Sequence, residues 1–315
     1  MVAESFMIAF NAVFPFIFYM AVGVLIVKTR LTDEDFLNKL NKLVFKTFLP
    51  VLLFRNIYYA ESDMEFNGSF IFYAVGGILA LTVLLMLTVP RFIKENPRRA
   101  VVVQGIFRSN VALFAVPLAQ YIYGDECGML AAVMTAVTVM TFNVLAVVVL
   151  EYYRGGAASP VALLKKIATN PLILGIVTGF IFYGLRIPIP AQLETPIKTV
   201  GSMATPLALM ALGGTLKLSE FLDNGRVLAV VCLLKLVFFP VVSYLITLLL
   251  PFNNMERFML LIIFVTPTAV SSYTMAQNMG GDGPLAGQIV VTTTLVSVLT
   301  IFCFVFTLNM LGLLY

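Results

Sequence analysis

Histidine is absent from this sequence. That removes the commonest metal ligand and the side chain that most readily titrates near neutral pH. Cysteine is scarce: Cys127, Cys232 and Cys303 lie far apart with no CxxC spacing, which argues against a disulfide framework or a thiolate metal site. Charge is scarce too, at 11% of residues against about 25% in soluble domains. Asp and Glu are missing from the middle of every long apolar run. An intramembrane enzyme, which needs a nucleophile–base pair or twin aspartates within the bilayer, is therefore not expected. A proton carrier built on a buried carboxylate is equally hard to find. The N-terminus has no basic n-region and its apolar run is too long for a signal peptide, so it reads as a retained first span.

What is present is apolar: 60% of the 315 residues are hydrophobic. No soluble fold hides that much, so the solvent is lipid and the chain is an all-α polytopic membrane protein. Ten spans are expected, near 5–27, 37–58, 69–90, 100–123, 128–151, 166–185, 196–216, 227–250, 257–279 and 285–312. Loops after odd-numbered spans hold most of the Lys and Arg, including Arg91, Lys94, Arg98, Arg99, Arg154, Lys165 and Lys166. The positive-inside rule then places both termini outside the cytoplasm, in a cytoplasmic (inner or plasma) membrane. The net charge of +4 sits in these short loops and does not form a nucleic-acid patch.

Prolines suggest a duplication. Pro15 and Pro171 lie 156 positions apart, as do Pro50 and Pro206, and Pro117 and Pro267 lie 150 apart. Five spans per copy is an odd number, so the second copy enters the membrane inverted, as in many secondary transporters. The expected units are 1–151 and 166–315, joined by a short cytoplasmic linker at 152–165. Coincidence among prolines, which are common in membrane helices, is the competing explanation.

Spans four and nine invite a break. Pro117 lacks an N–H and its ring opposes the carbonyl of Leu113; Pro267 poses the same problem. Thr266 is expected to cap a new helix with Pro267 at its first position, and Thr268, Ser271 and Ser272 add hydroxyls. If both helices unwind at mid-membrane, two positive helix ends face each other and favour an anion. A simple kink at each proline is the alternative. Arg108 and Lys235 are charges well inside spans; each either meets a ligand or snorkels to the surface. Asn110 and Asn143 either hydrogen-bond between helices or face a ligand. Gly175 and Gly179 in NPLILGIVTGF mark close helix packing, within the chain or between subunits.

The stretches LVFKTFLPVLLF, RSNVALFAVPLA, ATPLALMALGGTL and TPTAVSSYTMAQNMGGDGPLAGQIVVTTTLVSVLTI occur in order along nearly the whole chain. With these the sequence resembles the auxin efflux carrier family of membrane transporters, which spans plant auxin carriers and bacterial permeases for malate, malonate and related acids. The resemblance implies two inverted five-helix repeats with broken helices four and nine crossing at Pro117 and Pro267. It implies a scaffold part, 1–68 and 166–220, and a transport part, 69–151 and 221–315. Carried over by position, the substrate site draws on Arg108, Ser109, Asn110, Pro117, Thr266, Pro267, Thr268 and Ser271, with Lys235 and Arg55 as further donors. The implied activity is elevator-type transport of a small organic anion such as a carboxylate. No cofactor is implied; proton or sodium coupling, and pairing into a homodimer, stay open. An ion exchanger, a channel and a membrane sensor are the alternatives on the same fold.

Overall fold

A computed structural model describes residues 2–59, 68–155, 160–217 and 220–314. It is all-helical among the described residues. In chain order the helices are α1 (Val2–Lys28), α2 (Glu34–Leu43), α3 (Leu49–Tyr58), α4 (Gly68–Thr88), α5 (Asn96–Phe107), α6 (Val111–Tyr123), α7 (Gly128–Tyr153) and α8 (Pro160–Ala168). There follow α9 (Pro171–Gly184), α10 (Ala191–Thr215), α11 (Glu220–Asp223), α12 (Gly225–Leu233), α13 (Phe239–Thr247), α14 (Asn254–Val265), α15 (Ser271–Met279) and α16 (Gly283–Met310).

Among the described residues four helical stretches are long and apolar enough to cross a membrane: Gly68–Arg91, Val133–Tyr153, Gly225–Thr247 and Gly283–Met310. The bent pair Val161–Ala168 and Pro171–Gly184, which turn by 67° at Thr169-Asn170, makes a fifth if counted as one span. Several of the ten expected spans are divided instead. The stretch 37–58 opens with the amphipathic α2 and reaches α3 through one π-helical turn; 100–123 splits into α5 and α6, and 257–279 into α14 and α15.

The π turns explain how two prolines are accommodated. Val44–Phe48 is π-wound just ahead of Pro50, and Leu234–Phe238 is π-wound just ahead of Pro240. Each proline occupies the second position of the α-segment that follows, where a missing N–H costs least. Both helices continue without a break, and Lys235 falls within the second π turn.

Close backbone contact fixes α1 on α10 and α3 on α9. A methyl group added at Gly213 of α10 would lie 2.1 Å from the carbonyl oxygen of Met20 in α1. At Gly175 of α9 it would lie 2.5 Å from the carbonyl oxygen of Pro50. The glycine pair of NPLILGIVTGF thus packs within the chain, against α3. Elsewhere, α5 from Ala100 to Phe107 and α14 from Phe258 to Val265 are buried at every position. Protein encloses both half-helices, which is the condition under which irregular backbone is tolerated at membrane depth.

Candidate functional site

The first break is three residues long. α5 ends at Phe107, Arg108 is extended (φ −83°, ψ 125°), Asn110 has φ −93° and ψ 52°, and α6 starts at Val111. The expected break at Pro117 is corrected: α6 runs as one helix through position 117. The interruption falls on the Arg-Ser-Asn triplet instead.

The second break runs from Thr266 to Val270. Thr266 closes α14 with φ −71° and ψ 148°, and α15 starts at Ser271. The expectation that Thr266 caps a helix begun by Pro267 is corrected as well. Proline disfavours the helical region in the residue before it, and Thr266 is extended accordingly. Thr266 is fully buried, and its hydroxyl has no protein partner among the described residues.

The two breaks satisfy each other. Asn110 N–H donates to the Pro267 carbonyl at 2.8 Å. The Thr268 hydroxyl donates to the Gly105 carbonyl at 2.7 Å, and its N–H donates to Thr293 Oγ1 at 3.2 Å. Gly105 stands in the last turn of α5, where carbonyls have no intrahelical donor.

Beside this crossing lies a cavity of about 240 Å³. The first break contributes Arg108, Ser109 and Asn110, the second Ala269 and Val270, α15 Ser271, α7 Phe142 and Asn143, α3 Arg55 and Asn56, and α10 Thr205. Arg108 does not snorkel. Its side chain is 2% exposed and donates to Asn143 Oδ1 at 2.6 Å and Ser271 Oγ at 2.7 Å, with the Met275 sulfur also in contact. Its Nε has no partner among the described residues. Lys235 is also turned inward: it is 1% exposed and donates from Nζ to Ser109 Oγ, behind the cavity wall. Lys46, in the other π turn, is exposed.

Among the described residues no carboxylate lines the cavity. Among the described residues none forms an ion pair with Arg108 or Lys235. The one buried carboxylate described, Glu151, pairs with Arg154 at 3.3 Å, two turns further along α7 than Asn143. An arginine at the centre of a span costs about 2.5–3.5 kcal/mol on insertion scales, and a nearby negative charge would offset that cost. The first turns of α6 and α15 border the same space, and their positive helix ends favour negative charge there.

Of the residues expected from sequence, Arg55, Arg108, Ser109, Asn110 and Ser271 meet at the cavity. Thr266, Pro267 and Thr268 form the crossing, Lys235 stands behind Ser109, and Pro117 lies along α6, outside the break. Asn56 and Thr205 were not foreseen as lining residues, while Asn143, read as either an interhelical hydrogen-bonder or a ligand-facing residue, does both. Asn143 had a signal, as a lone amide in an apolar run, but its pairing with Arg108 spans 35 positions and has no local signature.

Residues 8–305 match the family model described as "Membrane transport protein". A protein of Rhizobium meliloti (strain 1021) that bears the name "Putative malonate transporter" is 24% identical over 298 residues, 92% of this chain and 92% of that one.

Proposed function

The chain belongs to the membrane transport protein family, the auxin efflux carrier family its motifs resemble, and from that premise we propose that it carries a small organic anion, such as a carboxylate, across the cytoplasmic membrane. The observation that carries this reading is the cavity at the crossed breaks, which gathers Arg55 and Arg108 and has no carboxylate among its described lining residues. A substrate carboxylate would meet the guanidinium groups of Arg55 and Arg108 and the positive helix ends beside them.

Ten spans in two inverted repeats, with both termini outside, form the architecture of this proposal. The break positions support it: the last helical residues before each break, Phe107 and Val265, lie 158 positions apart, close to the 156 of Pro15–Pro171 and Pro50–Pro206. The cavity also falls between the two expected parts. Arg55, Asn56 and Thr205 belong to the scaffold ranges, and Arg108, Asn143 and Ser271 to the transport ranges. Sliding one part past the other would carry the bound anion across, which is elevator transport.

The test is uptake by the purified protein in liposomes. A panel of labelled mono- and dicarboxylates is offered with and without a sodium gradient, a pH gradient and a potential. Saturable uptake that Arg108→Gln abolishes supports the reading, and the gradient arms identify the coupling. Sodium or proton flux with no organic acid moved overturns it.

A further inference from the structure

We infer that Lys235 sets the valence of the transported anion: acting through Ser109, it fits the cavity to a dianion in preference to a monoanion. This rests on the anion reading above and adds the charge of the cargo and the residue that selects it.

Two basic side chains are buried at the crossing, Arg108 and Lys235, and the hydrogen-bond partners of both among the described residues are neutral. Arg55 is only half-buried and rests on the Lys198 carbonyl, so solvent screens it and it counts for less. Charge balance in a site closed to water then calls for two negative charges on the occupant. Arg108 reaches the cavity itself, whereas Lys235 does not line it.

The geometry at Ser109 supplies the link. Lys235 has three donors and no acceptor, so the Ser109 oxygen is the acceptor of their hydrogen bond. The hydroxyl proton of Ser109 must then point elsewhere, and Ser109 stands in the cavity wall. The ammonium therefore turns Ser109 into a donor toward the occupant and places a second charge one residue behind it. Lys235 is a positioning residue, and the π turn that carries it aims it at the break.

The experiment compares malonate with malonamate, its monoamide, in proteoliposomes at a pH where malonate is doubly ionised. The two share size and skeleton and differ by one charge. The wild-type protein is expected to favour malonate by at least about tenfold in kcat/KM, the worth of one added charge contact in a poorly solvated site. Lys235→Met should bring that ratio close to one with malonamate still carried, an outcome that mere misfolding does not produce. Ser109→Ala, which keeps the ammonium but removes the relayed donor, should lower the ratio part of the way. If Lys235→Met moves neither compound, the same ratio is read from their protection of the purified protein against heat unfolding. An undiminished preference in Lys235→Met by either readout, or a wild type indifferent to valence, overturns the assignment. A wild type that moves no organic acid overturns the anion reading, and this inference with it.

Discussion

The backbone N–H of Asn110 donates to the carbonyl of Pro267 at 2.8 Å, so the two interrupted helices are joined at the point where each stops being a helix. The Thr268 hydroxyl repeats the tie in the other direction, on Gly105. Thr268→Val keeps the shape and leaves the buried Gly105 carbonyl without its donor. A loss of about 1–3 kcal/mol follows from stranding one buried polar group. Thermal unfolding in detergent checks it; an unshifted midpoint would show that the tie contributes nothing.

Pro117 and Pro267 should separate functionally. α6 is continuous at position 117, whereas Pro267 holds Thr266 extended and presents the carbonyl that Asn110 uses. Pro117→Ala is expected to leave uptake within about twofold of wild type, and Pro267→Ala to lower it by about tenfold or more as the crossing loosens. Equal losses would mean that the break at Arg108–Asn110 is not the functional one.

Arg108→Lys keeps the charge but cannot hold Asn143 and Ser271 together, as the planar guanidinium does. Transport efficiency should fall by about tenfold or more despite the conserved charge. Initial uptake rates across a substrate series measure it, and wild-type rates would show that charge alone suffices.

The α1–α10 contact predicts a sharp stability contrast. Gly213→Ala places a methyl 2.1 Å from the Met20 carbonyl oxygen, and backbone cannot swing aside as a side chain can. Roughly 2–3 kcal/mol of destabilisation is expected from such overpacking. Gly76→Ala in α4, where nothing lies within 4 Å of the added carbon, should stay close to wild type. Paired melting curves of the two variants decide the matter.

Much of this was legible in the sequence, for physical reasons that also explain the misses. Apolar runs and loop charges report on lipid directly, and glycines at GxxxG spacing report on close backbone approach. The position of the first break was misjudged because Pro117 is a local signal, while the true interruption depends on Pro267 reaching Asn110 from the other half. The repeat spacing held the correct answer: 156 positions before Pro267 lies Val111, the first residue of α6. The π turns ahead of Pro50 and Pro240 leave no trace in apolar periodicity. Arg55 came to the site only through the family resemblance, and the cavity does include it.

The Asn110–Pro267 bond also dictates something about how the protein is made. α5 is 12 residues long, about 18 Å at 1.5 Å per residue, so it stops well short of crossing a hydrocarbon core of about 30 Å. The interruption that follows it, at Asn110, awaits a partner 157 residues further along the chain. During synthesis the first half must therefore enter the bilayer with that end unmatched, sheltered by neighbouring helices or by the insertion machinery. Biogenesis reaches its final form only when the second half arrives, and a ribosome stalled between the halves leaves a fragment that quality-control proteases can recognise.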